Sequence, residues 1–245
     1  MSGDAFAEYF ARLEARHLGE LEFVEIRKGV QALSSLYVHR RARLDDLFEG
    51  AGKRAAFAVY YGALHFLTVR QIVRAIGGAR PKRILDLGCG TATAGAAWAL
   101  EASARYEGVE RSGWAGEEAR FTLRSLRVEG RITRGDLTSA RLPGRGVGIL
   151  LAFAANELPD ASRERLQRDL LAAHQRGACV LVVEPLSRRV AGRWWEAWAG
   201  AFAAAGGRAD EWRFRFDLPP MLALLDKAAG LDHRELTARS LWLPF

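Results

Sequence analysis

The chain has 245 residues, of which 49% are hydrophobic, and it carries a formal net charge of +7. That length suits one domain with a full core plus an extension. Two cysteines supply neither a disulfide framework nor a zinc ligand set, so we expect a reducing cytoplasm and no metal site. Residues 1–5 lack the charge and apolar run of a secretion signal, and no apolar run spans a bilayer, so no membrane association is expected.

The positive charge is mostly arginine, since four of the 36 basic residues are lysines. Together with abundant alanine and glycine, this resembles the composition encoded by GC-rich DNA, which scatters arginine without implying a partner. One series has helical spacing at its start: Arg120, Arg124, Arg127, Arg131 and Arg134. We interpret it as a solvated helix face, with a phosphate-binding stripe as the alternative.

The first eighty residues predict a helical extension, because apolar residues recur at helical spacing near 6–13 and 23–37 and again over 53–76. From residue 81 onward strands and helices alternate, which predicts an α/β fold with a mostly parallel sheet covered on both faces. The predicted strands are one ahead of the turn at 88–90, then 105–110, 131–137, 147–155, 178–183, 211–216 and 235–243. The later predicted helices are 162–175, 191–205 and 220–229.

The first strand runs into Asp86-Leu87-Gly88-Cys89-Gly90-Thr91, a strand–turn–helix sequence suited to a nucleoside-type cofactor. A dinucleotide site expects a third glycine where this chain has Thr93, which argues against a nicotinamide-dependent oxidoreductase. A carboxylate at Asp86 repels pyrophosphate and favours a cation. S-adenosylmethionine (SAM), which is cationic and lacks phosphate, fits better; the structural alternative is that Asp86 only caps the turn.

This motif resembles the first motif of the class I SAM-dependent methyltransferases, with Ala92 where that family usually has a third glycine. The resemblance implies a Rossmann-like, doubly wound, seven-stranded sheet whose last two strands form an antiparallel hairpin at the edge. It also implies a SAM-binding domain over residues 81–245, preceded by a helical extension or lid over residues 1–80. The predicted activity is methyl transfer to a small molecule or to a peptide or protein side chain.

Further acids lie at the ends of the next two strands. Glu110 lies 22 residues beyond Gly88, where an acid accepts hydrogen bonds from both ribose hydroxyls. By analogy with the family, Asp136 bonds the adenine amino group; the structural alternative is that Asp136 only forms a turn. The turn residue Cys89 and the neighbours Arg111 and Leu137 complete the predicted cofactor site.

Asn156 and Glu157 follow the fourth strand and are the predicted catalytic residues, as hydrogen-bond acceptor and proton acceptor; a helix N-cap is the structural alternative. Tyr60 and Tyr61, in the helix before the first strand, are predicted to contact substrate; the structural alternative is that they belong to the core, as most of that helix does. The predicted protein is thus a cytoplasmic enzyme, and the sequence does not determine its oligomeric state.

The helix before the first strand, together with residues 156–160 and 182–185, is similar to the methyltransferase-like factors that assemble the small subunit of mitochondrial and bacterial ribosomes. Those factors carry a cysteine set for an iron–sulfur cluster, which two cysteines cannot supply. This similarity implies an alternative function, as an rRNA methyltransferase or a cofactor-binding assembly factor, which predicts salt-dependent RNA binding on an arginine face.

Overall fold

The computed structural model describes residues 5–39, 48–77, 80–186, 194–231 and 233–245. Seven strands form one sheet: β1 (Arg83–Leu87), β2 (Arg105–Glu110), β3 (Gly130–Arg134), β4 (Val147–Ala152), β5 (Cys179–Glu184), β6 (Arg208–Arg215) and β7 (Glu235–Leu243). Their order is β3-β2-β1-β4-β5-β7-β6, with β1 to β5 parallel and β7 antiparallel to both of its neighbours. The predicted fold class and the terminal antiparallel pair are therefore confirmed.

The helices of the extension are α1 (Ala5–Leu18), α2 (Phe23–His39), α3 (Ala51–Ala56), a π-helical segment (Phe57–Gly62) and α4 (Ala63–Ile76). The helices of the sheet domain are α5 (Thr93–Ala102), α6 (Gly113–Leu126), α7 (Asp160–Gln175), α8 (Trp194–Ala204) and α9 (Pro220–Ala228). No helix among the described residues is both long and apolar enough to cross a bilayer.

The burial of each strand agrees with its position in the sheet. Every residue of β5 is buried, and β4 and β1 are buried at all but one position, as expected for central parallel strands with both faces covered. The edge strand β3 is largely exposed. The other edge strand, β6, alternates between exposed and half-buried residues, so one of its faces contacts the core.

The helical extension and the sheet domain share one hydrophobic core. The ring of Phe6 on α1 stacks on that of Phe66 on α4 at 4.8 Å between centroids. The Tyr9 hydroxyl is hydrogen-bonded to the Thr122 hydroxyl of α6 at 3.3 Å, and Glu118 of α6 pairs with His17 of α1 at 3.0 Å. The two contacts with α6 hold α1 against the sheet domain.

Several predicted boundaries were wrong by a few residues. Strand β3 ends at Arg134 rather than 137, because the Asp136 carboxylate caps a 3-10 turn over Leu137–Ser139. Strand β4 ends at Ala152 rather than 155, because Phe153 has a left-handed backbone with φ 57°. Strand β6 begins at Arg208 rather than 211. The predicted start of the helix at 191 lies outside the described residues.

Candidate cofactor site

The turn after β1 alternates between left-handed and other conformations. Gly88 has φ 68°, Gly90 has φ 52° and Ala92 has φ 63°. Alanine therefore adopts, at the third position of the motif, the conformation that glycine adopts at the first two. That conformation is unfavourable for a residue with a Cβ, so Ala92 is a strained point at the start of α5.

Asp86 is a buried carboxyl group at the end of β1. The Tyr106 hydroxyl donates to its Oδ2 atom at 2.7 Å. Any Cβ at Gly95 would collide with that same oxygen, so α5 approaches the acid through a glycine. Burial raises the pKa of Asp86 to about 7, although hydrogen bonds from Tyr106 and from the Gly95 backbone oppose the shift.

Glu110 at the end of β2 is fixed by two backbone donors. The N–H of Gly90 donates to its Oε2 atom at 2.9 Å, and the N–H of Ser112 donates to its Oε1 atom at 2.7 Å. The side chain is buried. The carboxylate therefore joins the tip of β2 to the glycine turn after β1, and each oxygen retains a lone pair for a further donor.

Asp136 after β3 is exposed, and its Oδ1 atom accepts from the backbone N–H of Thr138 at 2.7 Å and from its hydroxyl at 2.6 Å. The same hydrogen bonds lower the pKa of Asp136, so the carboxylate is ionised near neutral pH. Its second oxygen takes no part in these bonds.

The acids meet at one cavity of about 310 Å³ at the carboxyl ends of β1, β2 and β4. All eight predicted cofactor residues line it, namely Asp86, Gly88, Cys89, Gly90, Glu110, Arg111, Asp136 and Leu137. The predicted catalytic residue Glu157 lines it as well. The cavity lies next to the point at which strand order reverses, between β1 and β4, where ligands of open α/β sheets bind.

The side chain of Asn156 is placed elsewhere. Its Nδ2 atom donates to Oε2 of Glu184, and its Oδ1 atom accepts from Nε1 of Trp194 at 3.1 Å. Glu184 also accepts from the backbone N–H of Ala155 at 2.9 Å, and burial raises the pKa of this acid to about 8. Asn156 does not line the cavity and instead holds the loop after β4 to β5 and α8.

Arg163 of α7 holds the same loop from the other side. Its guanidinium donates to the carbonyl oxygens of Ala155 at 3.1 Å and Leu158 at 2.7 Å. It also lies over the ring of Trp194, 5.1 Å from the centroid. Glu157 is thus presented to the cavity by a loop fixed on both sides, and burial raises the pKa of its carboxyl group.

Tyr60 and Tyr61 do not line the cavity. Tyr60 is fully buried, and its hydroxyl bonds Asp226 of α9 and, at 3.0 Å, Nδ1 of His233. Tyr61 is half-buried and packs edge-on against Tyr60. Through Tyr60, the π-helical segment that contains both residues instead contacts the insertion between β6 and β7.

Sequence reasoning missed the aromatic part of the cavity. Phe48, Phe57, His65 and Phe153 all line it. The available signal was the spacing of Phe57 and His65, eight residues apart, which places them on one face of a helix. The apolar run around them predicts only a buried helix, which places this face in the core.

No protein-family model matches the sequence, and neither does any curated protein. Among solved structures, mitomycin 7-O-methyltransferase MmcR is similar over 100% of this chain and 74% of its own, with a TM-score of 0.55 and 16% identity. The methyltransferase domain of bacterial CtHen1-C is similar over 74% of this chain and 98% of its own, with a TM-score of 0.51 and 16% identity.

Magnesium protoporphyrin IX methyltransferase (ChlM) from Synechocystis PCC 6803, a structure with bound SAM, is similar over 73% of this chain and 78% of its own, with a TM-score of 0.51 and 14% identity. At these identities the similarity concerns the fold. The chain therefore has the fold of the class I SAM-dependent methyltransferases, as the motif resemblance predicted.

Proposed function

We propose that the protein is a SAM-dependent methyltransferase that acts on a small molecule or on a peptide or protein side chain. The observation that carries the proposal is the convergence of Asp86, Glu110 and Asp136 on one cavity beside a left-handed glycine turn. Three carboxylates at successive strand tips suit a ligand with a cationic centre and several hydrogen-bond donors.

These carboxylate acceptors match the cationic and hydrogen-bond-donating parts of SAM. Asp86, two residues before the turn, suits the cationic amino acid portion, Glu110 keeps lone pairs for ribose hydroxyls, and Asp136 keeps one oxygen for the adenine amino group. Leu137, whose side chain approaches Gly88, supplies apolar contact. Cys89 and Arg111 also line the cavity, and the residues present fit the cofactor.

When bound, SAM supplies a methyl group activated by the positive charge on sulfur. The protein then has to align an acceptor with that methyl group and exclude water. We assign proton acceptance to a carboxylate oxygen of Glu157, which lines the cavity and whose pKa burial raises. Asn156 is a positioning residue in this scheme, because its amide holds the Glu157 loop through Glu184 and Trp194.

A dinucleotide suits the cavity poorly. Asp86, Glu110, Asp136 and Glu157 line it, and Arg111 is the one arginine or lysine among its described lining residues. Calorimetric titration with SAM and with NAD tests the assignment. We expect saturable binding of SAM and none of NAD; a protein that binds NAD and not SAM would contradict the proposed function.

RNA binding is the second candidate, and a specific surface favours it. Arg120, Arg124, Arg127 and Arg131 line a groove of about 500 Å³ between α6 and β3. The groove shares no lining residue with the cavity, and Arg131 is paired with Glu107 at 3.1 Å. Titration with a single-stranded RNA over a salt series tests this candidate, because binding to phosphates weakens steeply with salt.

A further inference from the structure

Four aromatic side chains form a continuous wall along the cavity. Phe48 meets Phe57 edge-on at 5.0 Å between centroids, and Phe57 meets His65 edge-on at 6.3 Å. His65 and Phe153 are stacked at 3.9 Å and 11°. We call Phe48, Phe57, His65 and Phe153 the aromatic wall. Its members come from the extension and from the end of β4, so the wall exists only where the two parts of the chain meet.

One end of the wall is formed by a residue with a strained backbone. Phe153 has φ 57°, a conformation that is unfavourable for a bulky residue and that persists where surrounding structure enforces it. Its backbone N–H still donates to the carbonyl of Val183 at 2.8 Å, so the strand pairing is kept while the ring turns onto His65. Ala152 and Ala154, on either side, are small and leave space in the cavity.

The charge around the wall is negative. Asp86, Glu110, Asp136 and Glu157 line the same cavity, against Arg111 alone as arginine or lysine in the described lining. Arg111 follows Glu110 at the tip of β2. An acceptor with a carboxylate or phosphate would therefore be placed among carboxylates with little cationic compensation.

The polar groups near the wall suit a neutral hydrogen-bonding partner. Burial lowers the pKa of His65 to about 3, so its imidazole is uncharged at neutral pH and offers one donor and one acceptor. A neutral ring also avoids repulsion of a cationic cofactor. Glu157 adds one carboxyl group on the loop after β4.

We propose that the aromatic wall is the acceptor subsite, and that it takes a planar ring that is uncharged or cationic and bears the hydroxyl or amine to be methylated. Offset and edge-on contacts with the wall bind the ring, and the cavity carboxylates favour a positive substituent. This inference rests on the proposed function, because it assigns the three strand-tip carboxylates to SAM.

Three probes that share the indole ring system but differ in charge test the inference: indole, tryptamine and indole-3-acetate. Each is titrated by saturation-transfer NMR into protein saturated with S-adenosylhomocysteine, the demethylated cofactor. We expect indole and tryptamine to bind, and indole-3-acetate to bind about tenfold more weakly, because its carboxylate is placed beside Glu157 in a cavity whose described lining has Arg111 as its one arginine or lysine. Equal or tighter binding of indole-3-acetate, or no binding of any probe to the saturated protein, overturns the inference about the acceptor subsite. Neither result bears on the proposed function.

The first step of the same experiment separates the two proposals. If S-adenosylhomocysteine and SAM both fail to bind, the proposed function fails, and the inference fails with it. If they bind and the rings behave otherwise than expected, only the acceptor subsite is wrong.

Variants test whether the probe binds at the aromatic wall. Phe153→Leu and, separately, Phe57→Leu should weaken tryptamine binding about fivefold through loss of aromatic contact. Phe214→Leu on β6 is the control, because Phe214 stacks on Trp212 and does not line the cavity. Thermal unfolding confirms that each variant is folded. Unchanged tryptamine affinity in both folded wall variants, or an equal loss in the control, overturns the assignment.

Discussion

The carboxylate of Glu110 accepts a hydrogen bond from the backbone N–H of Gly90 at 2.9 Å, although the two residues are 20 positions apart. Its other oxygen accepts from the N–H of Ser112 at 2.7 Å. One side chain therefore fixes the relative position of the β1 turn and the β2 tip. In the proposed complex the same carboxylate also receives the ribose hydroxyls, so it acts on the ligand and on the shape of the site.

Replacing Glu110 with alanine removes both functions. We expect Glu110→Ala to weaken SAM binding by about 1–3 kcal/mol, because a hydrogen-bonded carboxylate is lost from a ligand site. Asp86→Ala should weaken binding by a similar amount. Isothermal titration calorimetry measures both. Glu129→Ala is the control, because Glu129 is an exposed acid paired with Arg105. Unchanged affinity in both site variants would count against the cofactor site.

The pKa of Asp86 gives SAM binding a pH dependence. Burial raises it to about 7, so the carboxyl group of the free protein is largely protonated at pH 6 and largely ionised at pH 8. Because SAM is cationic, affinity should rise across this interval. Asp86→Asn, which carries no charge at either pH, should flatten the rise. The ratio of SAM dissociation constants at pH 6 and pH 8, compared between wild type and variant, also cancels titration of the ligand itself. An identical ratio in both proteins contradicts the prediction.

Much of the fold and part of the site could be predicted from the sequence, because they depend on local patterns. The acids Asp86 and Glu110, at the ends of β1 and β2, identify the contribution of these two strands to the cavity. Tyr60 shows where this reasoning stops: its partner Asp226 lies 166 residues away, and no periodicity indicates that pairing. The left-handed backbone of Phe153 is equally hidden, because nothing about a phenylalanine after a strand favours it.

Tyr60→Phe distinguishes a structural tyrosine from one that contacts the cofactor. The Tyr60 hydroxyl bonds Asp226 and His233, and its loss should lower the free energy of unfolding by about 1–2 kcal/mol at neutral pH. SAM affinity should change little, because Tyr60 does not line the cavity. Chemical denaturation and calorimetry measure the two quantities. Loss of SAM binding without loss of stability would instead place Tyr60 in the site.

The Tyr60 contribution should also depend on pH. Burial raises the pKa of Asp226, but hydrogen bonds from Tyr60 and His233 outweigh burial and lower it overall. A lowered pKa stabilises the folded state above the unfolded value near 4, and that stabilisation is lost as the pH falls through the folded value. The stability difference between wild type and Tyr60→Phe should therefore shrink in acid. A difference that stays constant from neutral pH down to the acid transition contradicts this.

Ala92 gives a prediction with a matched control on the same helix. Its φ of 63° is unfavourable for alanine and costs glycine little, so Ala92→Gly should raise the free energy of unfolding by about 0.5–1 kcal/mol, even after the larger entropy loss of glycine on folding. Ala96, buried inside α5, should respond in the opposite direction, since glycine in a helix interior destabilises by about 0.5–1 kcal/mol and the buried methyl group is also lost. Denaturant titration of the two variants measures both effects. If Ala92→Gly destabilises the protein as Ala96→Gly does, the left-handed conformation at Ala92 is not the source of strain, and the methyl group of Ala92 contributes through packing instead.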